Sequence, residues 1–179
     1  GDYFWQWGLY DDTLFNNTIE VLKNPDIKEP FGHFLLTLDT HNPAGHPSAS
    51  CGNQKYEDGG NSMLNAVHCS DYMLGKLIDD IQKLKIAENT LIVITSDHLA
   101  LRNTATEILN RGDRRDLFIA IPPTPAIPQV VDRSGSMLDV GITVLNLMGI
   151  EISKLGFGRD LLSDHKTLLE SQSSPDDFL

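Results

Sequence analysis

The chain has 179 residues, of which 40% are hydrophobic and 22% charged, enough for a full globular core and unlike a disordered chain. A net charge of -11 argues against a nucleic-acid partner, because phosphate backbones are held by Lys and Arg clusters and the sequence reads as lacking one; an anionic substrate would need a metal. No apolar stretch reaches the roughly 18 residues of a membrane span, and no signal-peptide pattern is present.

Tyr3, Phe4, Trp5 and Trp7 form an aromatic stretch that suits either sugar stacking or the edge of a hydrophobic core. Asp11-Asp12-Thr13, followed by Leu14, Phe15, Ile19, Val21 and Leu22, predicts an N-capped amphipathic helix ending near Asn24-Pro25. Phe34 to Leu38 predicts a buried strand that runs out into the polar loop Asp39-Thr40-His41-Asn42-Pro43. Residues 44–61, rich in Gly, Ser, Pro and Asn, predict a long excursion of the functional kind. A helix over 62–84 follows, with Val67, Leu74, Leu77, Ile78, Ile81 and Leu84 as its apolar stripe.

The run Leu91 to Thr95 predicts a buried strand, 104–111 a short polar helix, and Asp116 to Ile121 another buried strand stopped by Pro122-Pro123. Ser136 to Leu147 carries apolar residues at helical spacing, with Gly149 as its stop, and 171–179 reads as a loose tail. Alternating helices and strands predict the α/β class, a largely parallel sheet flanked by helices, in a single domain spanning 1–179.

Cys51 lies in the Gly- and Ser-bearing loop, and Cys69, 18 positions on, sits away from the predicted apolar stripe. Spacing leaves two readings open: a disulfide worth about 3 kcal/mol, implying an oxidising compartment, or two thiols.

The chemistry concentrates in Ser96-Asp97-His98, at the end of the second predicted strand. A carboxylate beside an imidazole suits Mn²⁺, Mg²⁺ or Zn²⁺ in phosphoryl-type chemistry, although Asp97 as a helix cap and His98 as a surface residue explain the dipeptide equally well. Two ligands fall short of the usual three or four, so further ones must come from elsewhere. His41, after the first predicted strand, is a candidate for holding a phosphate oxygen or moving a proton, and a parallel sheet would bring both strand ends to one edge.

Three stretches, Leu38 to Pro43, Asn65 to Tyr72 and Asn89 to His98, resemble the periplasmic phosphoglycerol transferases that decorate osmoregulated glucans. These belong to the alkaline phosphatase and sulfatase superfamily, with the lipoteichoic acid synthases. Asn103 to Thr106, Arg115 to Phe118, Gly158 to Leu162, and Trp7-Gly8 with Asp11-Asp12 extend the resemblance over most of 7–162. It implies an alkaline-phosphatase/sulfatase-like fold, Asp97 and His98 as metal ligands, Mn²⁺ or Mg²⁺ (or Zn²⁺) as cofactor, and His41 as a contact to the substrate phosphate.

The resemblance further implies an upstream acidic ligand and a threonine nucleophile that carries the phosphoglycerol group covalently. Thr18, Thr37 and Thr40 stand in the wrong context for that role, so the chain reads as the carboxyl-terminal part of a catalytic domain, inert by itself. The implied partners are a phosphatidylglycerol-type donor and a glucan acceptor, at the periplasmic face of the bacterial inner membrane. Neither Cys51-Gly52-Asn53-Gln54-Lys55 nor the residues after Cys69 carry the Pro and Arg of a sulfatase formylglycine motif. A phosphodiesterase and a non-catalytic glucan- or headgroup-binding module are the alternatives.

Overall fold

The computed structural model describes residues 3–5, 7–24, 26, 30–123 and 127–172. Two compact units share the chain: Gly1–Ala87 with Leu99–Arg115, and Glu88–His98 with Asp116–Leu179.

In the first unit, α1 (Asp11–Leu22) packs against α2 (Ser62–Gln82). Phe15, Thr18 and Leu22 form the buried stripe of α1, and Met63, Ala66, Cys69, Met73, Leu77 and Ile81 that of α2, each at three- or four-residue spacing. The α2 stripe is rotated from the one predicted, since Val67 is exposed and Cys69 fully buried. The rotation follows from the Cys51–Cys69 disulfide, which turns that face of α2 toward the 3₁₀ turn Ala49–Cys51. Asn61 caps α2 by accepting from the Leu64 N–H at 3.1 Å.

Asp11 does not cap α1, contrary to expectation. The N-cap is Tyr10, with no side-chain bond, and the Asp11 carboxylate is wholly buried at the helix start. Its Oδ1 accepts from the Leu38 N–H at 2.7 Å and the Asp39 N–H at 3.3 Å, and its Oδ2 from the Ser70 hydroxyl at 3.2 Å. Asp39, also buried, reciprocates: its Oδ1 accepts from the Asp11 N–H at 3.0 Å, and its Oδ2 from the Ser48 N–H and hydroxyl at 2.8 and 2.6 Å. Burial pushes the Asp11 carboxyl above the usual aspartate range, more than the Leu38 N–H draws it down. Gly45, in the turn that follows, has φ +69°, and a Cβ there would lie 2.6 Å from the Ala66 Cβ, so no side chain fits.

The predicted strand at 34–38 is absent. Residues 31–38 are irregular, with Phe34 95% and Leu36 69% exposed, because a strand exists only through a ladder and no described residue pairs with this stretch.

In the second unit, β1 (Ile92–Thr95) pairs with β2 (Phe118–Ile121), Ile92 opposite Ile121 and Thr95 opposite Phe118. This ladder is antiparallel and does not reproduce the largely parallel sheet read from the sequence. The connection explains the direction. A parallel return needs a crossover that spans the sheet, and the one helix between the strands, α3 (Thr106–Leu109), is four residues, about 6 Å long.

The helix α4 (Met137–Leu147) opens with a capping box between Ser136 and Asp139. Asp139 is buried and also accepts from the Arg159 N–H at 2.7 Å, and the buried Thr143 accepts from the Leu161 N–H at 2.9 Å. The turn at Gly158 therefore lies hard against α4, where a Cβ would stand 2.1 Å from the Leu138 carbonyl oxygen. Arg133 clamps the last described segment, pairing with Glu170 and donating to the Ser163 and His165 carbonyls. A 3₁₀ turn, Leu169–Ser171, occupies the start of the predicted tail, and the remainder of that prediction, 173–179, lies outside the described residues. No described helix is long and apolar enough to cross a membrane.

Three outcomes are expected. Cys69→Ser should lower unfolding stability by about 3 kcal/mol, and non-reducing peptide mapping should recover the Cys51–Cys69 peptide; free thiols in protein made under oxidising conditions would refute the bridge. Asp39→Ala strands the buried N–H groups of Asp11 and Ser48 and should cost about 2–5 kcal/mol in chemical denaturation, against no change if the lock is incidental. Arg133 and the Thr167 N–H hold the Glu170 carboxyl down to about 2 from its ordinary 4.5. A depressed acid stabilises the fold above its unfolded value and loses that contribution as pH falls, so Glu170→Gln should flatten the stability profile between pH 4.5 and 2.

Candidate functional site

His41 stands in the first unit, in a loop pinned at both ends. The Leu38 carbonyl accepts from the His41 N–H at 2.9 Å, the Gly45 N–H donates to the His41 carbonyl at 3.0 Å, and the His46 N–H returns to the Asp39 carbonyl at 2.6 Å. The Asn42-Pro43 bond inside this loop is cis, and the Pro43 carbonyl accepts from the Thr104 N–H at 2.9 Å. Thr104 also bonds Asn61 and the Met63 N–H, so the α2 start and the His41 loop share one anchor.

The imidazole of His41 is fixed on two sides. Its Nδ1 lies 2.7 Å from the Asn42 carbonyl oxygen, which only accepts, so Nδ1 carries the proton and Nε2 is the ring atom left for a ligand. The Trp7 indole stacks on the ring with centroids 4.9 Å apart and planes 27° from parallel. Trp5 packs on His46 at 3.8 Å and Tyr3 on Tyr10 at 4.6 Å, so much of the aromatic stretch serves the loop and the helix start as ring-on-ring packing. Trp7 itself remains 59% exposed. Sequence reading missed this pair, since Trp7 and His41 lie 34 positions apart and no periodicity links them.

Asp97 and His98 belong to the second unit, directly beyond β1. The Ser96 N–H donates to the Leu117 carbonyl at 3.0 Å and the Ser96 hydroxyl accepts from the Leu117 N–H at 2.9 Å, which holds the chain in register up to Asp97. The Asp97 Oδ1 accepts from the His98 N–H at 2.9 Å, and its Oδ2 lies 3.3 Å from the His98 Nε2. Both side chains are more than half exposed, 68% and 57%, and open to an ion from solution.

The structure thus brings Asp97 and His98 together and carries His41 in the other unit. A carboxylate and an imidazole within 3.3 Å fit a divalent cation as two of its ligands. Among the described residues no three His, Cys, Asp or Glu side chains gather into a metal site. The Asp116 Oδ1, in the stretch that leads into β2, is buried without a hydrogen-bond partner among the described residues. A buried carboxylate oxygen in that condition calls for a cation or a donor. Sequence reading placed Asp116 only as the start of a strand.

Residues 1–150 match the family model described as "Sulfatase". The chain is 39% identical over 165 residues to phosphoglycerol transferase I of Xanthomonas campestris pv. campestris, covering 90% of this chain and 24% of that protein. It is 36% identical over 160 residues to phosphoglycerol transferase I of Escherichia coli, covering 88% of this chain and 21% of that protein. The chain therefore spans about a quarter of the length of the curated relatives it matches. No solved structure matches it. With a family model accounting for all but its last 29 residues, the chain belongs to the sulfatase family.

Proposed function

We propose that this chain is part of the catalytic domain of a metal-dependent phosphoglycerol transferase, which moves sn-glycerol phosphate from a phosphatidylglycerol-type donor to a glucan at the periplasmic face of the inner membrane. The observation that carries the reading is the 39% identity, over 90% of the chain, to proteins named phosphoglycerol transferase I. The Cys51–Cys69 disulfide supports an oxidising compartment. In this reading the largely parallel sheet belongs to the longer catalytic domain of the alkaline-phosphatase/sulfatase type.

Asp97 and His98 would hold the divalent ion, Mn²⁺ or Mg²⁺ before Zn²⁺, with the remaining ligands and the threonine nucleophile supplied from outside this chain. A bound divalent cation there neutralises charge on phosphate oxygens. His41 would meet the non-bridging phosphate oxygens through Nε2, because Nδ1 is already committed to the Asn42 carbonyl. Stacking on Trp7 and the pinned loop fix the ring before substrate arrives, so little ordering remains to be done in the transition state.

The test is turnover by a polypeptide of the relatives' full length carrying this chain, with Mn²⁺, a phosphatidylglycerol donor and a glucan acceptor, following glycerol phosphate by mass. Transfer to glucan is expected, with Asp97→Ala abolishing it and His41→Ala lowering it about 10²-fold or more. Release of glycerol phosphate to water alone would replace the transferase with a phosphodiesterase, and binding without turnover would leave a headgroup- or glucan-binding module.

A further inference from the structure

The Cys51–Cys69 bridge pins the 3₁₀ turn Ala49–Cys51 to the middle of α2, and both of its residues are buried, Cys69 completely. From this return the chain reaches the aromatic stretch at three points. The Ala49 N–H donates to the Tyr3 hydroxyl oxygen at 2.6 Å. The Ser50 N–H donates at 3.3 Å to the Asp12 Oδ2, which also accepts from the Tyr3 hydroxyl at 3.1 Å. His46, earlier in the same return, packs on Trp5. Trp5 and Gly8 exchange backbone hydrogen bonds at 2.8 and 3.0 Å, and Trp7, between them in sequence, stacks on His41.

The two constraints on the His41 ring therefore have different origins. The Asn42 carbonyl at Nδ1 belongs to the adjacent residue, and that contact does not pass through the bridge. The indole on the ring face is held through Tyr3 and Trp5, both fastened to residues 46–51, which the bridge ties to α2. Two contacts of the aromatic stretch are independent of the bridge: Tyr3 stacks on Tyr10, and Gly8 lies so close to Leu38 that a Cβ would stand 2.9 Å from the Leu38 Cδ1. They keep the stretch near the loop, but neither fixes the plane of the Trp7 ring.

We propose that the Cys51–Cys69 bridge is a redox-dependent positioning element for His41, which through residues 46–51, Tyr3 and Trp5 lays the Trp7 indole on the imidazole. With the bridge open the return loosens and the indole leaves the ring. Closing the bridge takes two protons and two electrons from the Cys51 and Cys69 thiols, and an exchanging disulfide is reduced to two thiols in return. The stack then forms only in protein that has met an oxidant of that class. The inference concerns geometry and is read without turnover; its meaning for catalysis rests on the reading of His41 as a phosphate contact.

The experiment compares, by side-chain NMR, the chain with the bridge closed, the chain refolded and kept under dithiothreitol, and Cys51→Ala with Cys69→Ala. Dithiothreitol supplies the two protons and two electrons and closes to its own cyclic disulfide. With the bridge closed, NOEs between the Trp7 indole and the His41 imidazole are expected, with ring-current shifts of the imidazole protons. Both open forms should lose them, and their His46 and Ala49 amides should exchange at least about tenfold faster. Tyr3→Phe with Trp5→Leu cuts the relay while the bridge stays closed, and should reproduce the loss; this variant decides the matter where an open form does not fold. Absence of the stack in the bridged chain, a lowered unfolding midpoint with the NOEs intact in the open forms, or a stack that survives Tyr3→Phe with Trp5→Leu overturns the proposal. Failure of the longer polypeptide to transfer glycerol phosphate would overturn the proposed function and leave these spectra unchanged.

Discussion

Two buried carboxylates, Asp11 and Asp39, each accepting the other's backbone N–H across 28 positions of sequence, hold the first unit in place. An unpaired buried charge is among the most costly features a protein can contain, and here the backbone supplies the compensation. Between them the two side chains accept from Leu38, Asp39, Asp11, Ser48 and Ser70, joining the start of α1, the 38–39 corner, the 46–48 return and the middle of α2. The loop that carries His41 is therefore closed at both ends before its own hydrogen bonds are considered. The Cys51–Cys69 bridge adds a covalent point three residues beyond Ser48, tying the same return to α2.

This arrangement explains which parts of the fold were legible from residues alone. The helices α1, α2 and α4 were readable as apolar residues at helical spacing, a local property, although the cap of α1 and the buried face of α2 depend on what packs against them. The positions of β1 and β2 were readable as apolar runs. Their antiparallel direction was not, since it depends on the connection between them. The run Phe34 to Leu38 looks like a strand by composition and is none here, because pairing is a relation to another segment and composition carries no record of it. Asp11 was misread for a related reason: a carboxylate at a helix start is the usual sign of a cap, and only the position of residues 38–39 shows that it serves them instead.

The candidate site divides in the same way. Asp97 and His98 were visible because they are adjacent and follow an apolar run. The burial of the Asp116 Oδ1 was not, since burial depends on packing around the strand start and not on the local sequence. His41 was visible as one polar residue of a strand-end cluster, but what makes it chemically specific, the Asn42 carbonyl on Nδ1 and the Trp7 ring on its face, comes from a neighbour's backbone and from a residue on the far side of α1. The tautomer is thus a property of the loop, whereas the presence of an imidazole is a property of the sequence.

Charge shows why totals mislead where placement does not. A chain at -11 repels anions at long range, so any anionic ligand it holds must be met by positive charge fixed at short range, where desolvation strengthens the contact and salt screens it less. This chain has two ways of supplying that charge. In the proposed reading Asp97 and His98 recruit it as an exchangeable ion, which an acidic surface helps to concentrate. Arg102, Arg111, Arg114 and Arg115 carry it permanently on one short segment, which also holds Glu107 and Asp113. An exchangeable cation can be lost to a chelator and a guanidinium cannot, so the two kinds of positive charge are separable by experiment even though both answer the same electrostatic need.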